Sequence, residues 1–247
     1  MTIRRYDTDT SSFEQAEYRG EMPCFRYDIE SARWVDAYLT DGLVGYWSGE
    51  SVHVNDVTAL DASDQENDGT CNGGVTTEAD GRVGHAFDMD GTDDYITTTL
   101  SDFTGGITIA GWVYPRSYGT PDRKHTHLVR LSHMFCIIRS GSHEVWGRVQ
   151  TDGSITDCYG GSVPLDAWTH MAVTWDGSTV AVYADSTQVE SRSPSGSRIA
   201  QAGSFAIGTD GETPDGGIDG RVDDVRIYTR ALSERELQAL YRQGVSV

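Results

Sequence analysis

The segment FDMDGTDDYI, residues 87–96, places Asp88, Asp90, Asp93 and Asp94 within seven positions. Phe87, Met89, Tyr95 and Ile96 give its ends strand character, and Gly91-Thr92 makes a turn that can bring Asp90, Asp93 and Asp94 together. Like charges held this close repel. Water solvates them, backbone N–H groups satisfy them as in an Asx turn, or a cation sits among them. A second acidic stretch, RVDDVRIY at 221–228, sharpens the question. Strict alternation puts Asp223 on the side of Val225 and Ile227, and a carboxylate leaning toward a core face is costly unless paired or coordinated. Arg221 shares its parity and is one possible partner. Calcium is the other, since it gathers roughly six to eight oxygens from carboxylates, carbonyls and water.

Catalytic chemistry finds less support. A glycosidase needs two carboxylates roughly 5–9 Å apart across a cleft. No strand with alternating Glu and Asp occurs, and the glutamates lie mostly in the N-terminal region, in loops and near the C-terminus. There is no Gly-x-Ser-x-Gly elbow and no histidine pair at zinc-protease spacing. His125 and His127 share a strand face with His133 nearby, but no third ligand is fixed, so exposed loop histidines account for them. No catalytic residue is assigned. A binding surface is better supplied: Trp146, Tyr118 and Tyr159 with Arg139 and Arg148 offer aromatic faces and polar anchors of the kind that hold a sugar ring. Trp146 reads equally as core or surface. Trp112, Trp168 and Trp175 sit inside strand motifs and read as core.

Composition narrows the partners. The chain has 247 residues and a formal net charge of −19, with Lys124 the single lysine among 19 basic residues. Acidity with lysine depletion suits high salt, where a Debye length of roughly 3 Å at 1 M removes most self-repulsion. No basic patch exists for nucleic acid, and no apolar run is long enough to span a membrane. The N-terminal segment lacks the apolar stretch of a signal peptide. Cys24, Cys71, Cys136 and Cys158 match no zinc pattern; buried thiols and one or two disulfides both remain open.

The elements that must carry these residues are mostly strands. ITIAGWVYP (107–115) is apolar on both parities, as in a strand buried on both faces. AWTHMAVTWDGSTVAVYADSTQV reads as a hairpin around Asp176-Gly177. SFAIGTD and GRVDDVRIYTR add two strands. Ser233 with Glu236 three residues on forms a capping box, Leu237, Leu240 and Tyr241 follow at helical spacing, and Gly244 is placed to end the helix. Residues 1–40 differ in character. They carry Phe13, Tyr18, Phe25, Tyr27, Trp34 and Tyr38, and two stretches there suggest short helical turns. The expectation is an all-β, two-sheet antiparallel sandwich at 41–247 with a short C-terminal helix, preceded by an N-terminal arm at 1–40.

Four stretches in order, GRVGHAFDMDGTDDYI, ITIAGWVYP, DAWTHMAVTWDGSTVAVYADSTQV and GRVDDVRIYTRALSERELQALY, resemble the laminin G-like, concanavalin A-like lectin/glucanase family across residues 43–243. LDASDQENDGT resembles that family's Asn-Asp-Gly loop. The resemblance implies a jelly roll of two curved sheets, binding of carbohydrate or protein surfaces, and in many members a structural calcium. It brings the first and last strands near the acidic turn, so the expected ligands for calcium are Asp223 and Asp90, with Asp68 and Asp94 and backbone carbonyls. The sequence departs from the family at Ser48 and Gly49, where an acidic pair often follows the first-strand tryptophan. The functional expectation is a non-catalytic module for a surface glycan or glycoprotein. It would be displayed, without a signal peptide, on a virion or extracellular surface in high salt: a turret, decoration or tail fibre of a halophilic archaeal virus, anchored through residues 1–40 and forming homo-oligomers. The alternatives are a structural assembly protein without glycan binding and a glycoside-active enzyme.

Overall fold

A computed structural model describes residues 3–7, 12–16, 25–28, 33–50, 54–55, 57–103, 105–118, 125–199, 201–209 and 217–245. Two units separate at residue 41. In the first, β1 (Ile3–Asp7) pairs antiparallel with β2 (Ser12–Ala16), and β3 (Phe25–Asp28) with β4 (Arg33–Asp36). Strands thus occupy much of the region where sequence suggested helical turns; the one helical piece described is a 3-10 turn at Ala37–Thr40. The arm's aromatic side chains and Cys24 lie outside the described residues.

The second unit, residues 42–247, is a sandwich of two antiparallel sheets. Sheet I contains β19 (Thr187–Arg192), β18 (Val180–Ala184), β17 (Thr169–Trp175), β12 (Ile107–Pro115), β21 (Asp219–Tyr228), β10 (His85–Asp90) and β9 (Thr76–Asp80) in that order, with β5 (Leu43–Trp47) also on β21. Sheet II runs β16 (Ile155–Gly160), β15 (Glu144–Gln150), β14 (Met134–Arg139), β13 (His125–Arg130), β20 (Gln201–Ile207), β11 (Tyr95–Phe103), β8 (Gly69–Asn72), β7 (Thr58–Ala59) and β6 (Val54–Asn55). Their inner faces supply the core, in which Phe87, Ile96, Ile109, Val173, Ile207 and Val225 are fully buried. Trp47 of sheet I meets Phe205 of sheet II edge-on, centroids 5.6 Å apart. The sheets approach so closely at Gly147 that a Cβ there would lie 2.6 Å from Val182 Cγ1.

Local signals in the sequence set several details. At the β17–β18 turn, Asp176 Oδ1 accepts the N–H groups of Ser178 (2.8 Å) and Thr179 (2.7 Å). The helix α1 (Glu234–Val245) opens with the capping box: Ser233 N–H donates to Glu236 Oε2 at 2.8 Å. Gly244 does not end that helix as expected. It lies within it, where a Cβ would come 2.6 Å from Trp112 Cζ2. Helix α1 therefore presses on the outer face of sheet I, with Leu237 and Leu240 buried and Tyr241 stacked on Trp112 at 5.3 Å.

The cysteine question closes for the described residues, since Cys71, Cys136 and Cys158 are free thiols. Cys136 and Cys158 both pair with Gly147, from opposite sides. Two strand spacings of ~4.8 Å separate them, too far for a disulfide. Burial pushes the Cys71 thiol up to about 11 and the Cys158 thiol up to about 11.

Candidate functional site

Three constellations carry polar chemistry. The first is the acidic turn between β10 and β11. Asp90 Oδ1 accepts the Thr92 N–H at 2.7 Å, an Asx turn. Asp94 is buried; its Oδ2 accepts the Asp90 N–H at 2.9 Å and its Oδ1 accepts the Gly74 N–H. Ligand oxygens of Asp90, Asp93 and Asp94 all lie within 4.8 Å of one another, so this triad is the donor set that suits a divalent cation. Asp88 is neutralised differently. Arg116 reaches it at 2.7 Å, also bonding Asp219 at 2.9 Å and the Met89 carbonyl at 2.7 Å, and Arg221 approaches Asp88 at 3.4 Å. The positive charge in question at the turn is thus partly Arg116, 28 residues away in sequence and unmarked by any local pattern.

The second constellation is a bulge in β21. Opposite β12, Trp112 pairs with Asp223 but Ala110 with Arg226, so β21 carries one extra residue. Asp224 takes a left-handed conformation there, φ 52°. The extra residue breaks the alternation assumed from sequence. Asp223 lies beside Trp112 on the outer side of sheet I, while Val225 and Ile227 face the core. Asp223 is fully buried; its Oδ2 accepts the N–H groups of Arg82 (2.8 Å) and Val83 (3.0 Å) in the β9–β10 turn, while Oδ1 has no hydrogen-bond partner. Burial, and then Asp224, pushes its pKa up to about 8. Asp224 Oδ1 accepts the Tyr46 hydroxyl at 2.5 Å, and Arg226 sits over the Tyr46 ring at 4.2 Å. Burial opposes the Arg226 charge, but Tyr46 and Asp224 outweigh it and hold the guanidinium protonated. Nearby His170 is lowered to about 3 by burial and then by Arg226, so it is neutral.

The third constellation lies on the outer face of sheet II. Cross-strand pairing sets Ile137 opposite Trp146 and Trp146 opposite Tyr159, with Phe135 opposite Arg148 and Arg148 opposite Asp157. Asp157 organises the centre: Trp146 Nε1 donates to its Oδ1 at 2.9 Å, and Arg148 grips both oxygens at 2.6 and 3.0 Å. Burial works against that charge, but the bonds from Arg148 and Trp146 prevail and hold the carboxyl below its ordinary value. Arg139 lies over Tyr159 at 4.2 Å and Arg148 over Trp146 at 5.2 Å. Tyr159 is 36 % exposed and Trp146 half-buried, which makes an amphipathic platform rather than core.

The residues singled out from sequence fall as follows. Trp146, Tyr159, Arg139 and Arg148 come together on the platform. Tyr118 does not join them; it stacks on His143 at 3.6 Å and its hydroxyl donates to the Val163 carbonyl at 2.6 Å. Asp90 and Asp94 share the acidic turn with Asp93. Asp68 instead accepts the Asp61 N–H at 2.8 Å, and Asp223 caps the β9–β10 turn, so the four carboxylates assigned to one ion do not meet. Asp157 escaped the sequence reading, although its place two residues before Tyr159 gives it the same strand face. His127 is a buried strand residue, not an exposed loop histidine. Trp175 is core, whereas Trp112 is buried beneath α1 and Trp168 is half-buried beside Tyr114.

Residues 90–238 match Laminin_G_3, the concanavalin A-like lectin/glucanases superfamily, and the chain belongs to that family. Comparison with curated proteins finds no match. Among solved structures, the chain is similar to the binding domain of Paraclostridial Mosquitocidal Protein 1, with 20 % identity and a TM-score of 0.67 over 83 % of this chain and 53 % of that one. It is also similar to domain 4 of AbnA, a GH43 extracellular arabinanase from Geobacillus stearothermophilus, solved with arabinotriose, with 20 % identity and a TM-score of 0.62 over 81 % of this chain and 98 % of that one. The botulinum neurotoxin serotype D ligand binding domain, solved with N-acetylneuraminic acid, shows 12 % identity and a TM-score of 0.66 over 84 % and 52 %. The chain thus spans about half the length of the toxin domains.

The bulge generates a pH prediction. A carboxyl whose folded pKa is raised adds stability that is complete below the unfolded value near 3.9 and is lost as pH climbs through about 8. Asparagine keeps the acceptor for Arg82 and Val83 without the charge. Asp223→Asn is therefore expected to gain in melting temperature over wild type from pH 5 to pH 9. A difference that stays constant across that range, in thermal melts at matched ionic strength, would contradict the burial argument.

Proposed function

We propose that this domain is a non-catalytic carbohydrate-recognition module that holds sugar on the Trp146–Tyr159 platform. The observation that carries the reading is the arrangement itself: two half-exposed aromatic side chains on adjacent strands, Tyr159 overlain by Arg139 and Trp146 by Arg148, with Asp157 bonded to both Trp146 and Arg148. The exposed parts of the two rings offer apolar contact to a sugar, and the guanidinium and carboxylate groups around them bond its hydroxyls. The sugar complexes of the arabinanase domain and the neurotoxin domain support the reading by fold. Acidic, lysine-poor composition supports a role in high salt; we further propose display on a virion or other surface assembly, with residues 1–40 as the anchor and homo-oligomers as the displayed form. A glycan array probed with the full chain at molar salt, paired with sedimentation of the same sample, tests both parts. Wild type is expected to bind a defined glycan class and sediment as an oligomer, and Tyr159→Ala, at the more exposed of the two rings, to lose about tenfold or more in affinity, with thermal melts checking that the fold is kept. A wild-type protein that binds no glycan would leave only the structural role.

We also propose a structural calcium at the acidic turn, held by Asp90, Asp93 and Asp94. The ion would supply charge neutralisation, while the chain's own N–H groups of Thr92, Asp90 and Gly74 orient the carboxylates. Added calcium is expected to raise the melting temperature of the chelator-treated protein, and Asp93→Asn to abolish the rise. An unchanged melt on adding calcium would remove the ion from the account.

A further inference from the structure

The crossover from sheet II to sheet I contains a peptide bond that the fold leaves open to attack. Strand β8 ends at Asn72, and β9 begins at Thr76 in the other sheet. The chain has three asparagines, Asn55, Asn67 and Asn72. The first two precede aspartates, whose side chains crowd the next backbone nitrogen; Asn72 alone precedes a glycine, which has no Cβ to do so. Geometry sets that glycine. Its φ is 72°, and a Cβ at position 73 would lie 2.5 Å from the Asp93 carbonyl oxygen. Gly73 and Gly74 are both exposed, so water reaches the turn. Asn72 itself sits where an amide is needed. Its Nδ2 donates to the Thr70 carbonyl at 2.9 Å, to Thr97 Oγ1 at 3.2 Å and to the Tyr95 carbonyl at 3.5 Å, which ties β8 to β11. Two residues on, the Gly74 N–H holds Asp94 of the acidic turn.

We propose that Asn72 is a site of spontaneous covalent modification, deamidation through a cyclic imide with Gly73, and that the conversion loosens the β8–β11 pairing beside the acidic turn. The Gly73 nitrogen bonds to Asn72 Cγ and gives its proton to water. The Cγ–Nδ2 bond breaks, and Nδ2 takes a proton from water and leaves as ammonia. Attack by a neighbouring atom of the same chain needs no encounter, which favours the ring closure. One water molecule then opens the imide at either of its two carbonyls, giving aspartate or isoaspartate and returning the N–H to Gly73. The balance is amide plus water to acid plus ammonia. An ionised carboxylate at position 72 has no proton to donate and faces the Thr70 and Tyr95 carbonyl oxygens, which lose their shared donor. Isoaspartate also adds a methylene to the main chain just ahead of the Gly74 N–H that holds Asp94.

The test is peptide mass mapping of the full chain stored folded at pH 7.5 and, in parallel, unfolded in urea. In the folded chain the Asn72 peptide is expected to gain the mass change of amide to acid, while the Asn55 and Asn67 peptides keep their amides. Asn72→Gln, whose longer side chain closes a larger and slower ring, is expected to show no such change at position 72 over the same period. Converted protein, separated from unconverted protein by its added negative charge, is expected to melt about 2–4 °C lower. Asn72→Asp should show the same drop without storage. An Asn72 that keeps its amide in the folded chain, through a period that converts it fully in urea, overturns the proposal. So does converted protein whose melting temperature equals that of the unconverted fraction.

Discussion

One extra residue in β21 organises sheet I. Strand β21 is paired along one side by β12, but its other side is shared: β10 pairs with residues 219–222 and β5 with residues 225–228. The changeover falls at Asp223 and Asp224. The bulge turns both side chains to useful ends, since Asp223 caps the β9–β10 turn and Asp224 receives the hydroxyl of Tyr46 on β5. Two adjacent carboxylates thus tie two different strands to the edge they share. The charge this requires is sheltered by α1, whose Tyr241 covers Trp112 and whose Gln243 accepts a bond from Arg226 at 3.0 Å. A buried, incompletely bonded carboxylate is expensive, and holding a proton is the cheaper state.

Sheet II is organised by the opposite principle. From β16 to β14 its pairing is uninterrupted, so side chains alternate strictly between core and outer face. Cys158, Gly147 and Cys136 share the inward row, and Tyr159, Trp146 and Ile137 the outward one. The close approach of the sheets at Gly147 leaves the larger groups to the outside. A face built on paired strands is held more rigidly than one on loops. The platform residues therefore owe their positions to register, while the acidic bulge secures the other sheet.

Much of this was legible where the interactions are local. The Ser233–Glu236 box and the Asp176-Gly177 turn each act within three residues, so residue type and spacing suffice. Trp146, Arg148 and Tyr159 stood out by residue type, but their common face, and the side on which Trp146 falls, came from the strand register. Reading failed where a distant partner or a break in period decides the outcome. The bulge at Asp224 reversed the side assigned to Asp223, and no pattern in RVDDVRIY announces an extra residue. Arg116 meets Asp88 only because β12 and β10 flank β21, a fact of topology. Gly244 looked like a helix stop because its actual constraint, the Trp112 ring, lies 132 positions earlier in the chain.

The junction of β21 with the β9–β10 turn depends most directly on the protonation of Asp223. Its carboxyl carbon can be followed by NMR from pH 4 to pH 10 together with the amide protons of Arg82 and Val83. The expected result is one transition near pH 8 shared by all three signals, because the group that titrates is the one that caps the turn. A carboxyl that titrates near pH 4, with the two amides silent around pH 8, would contradict the claim that a buried, proton-holding aspartate joins these strands.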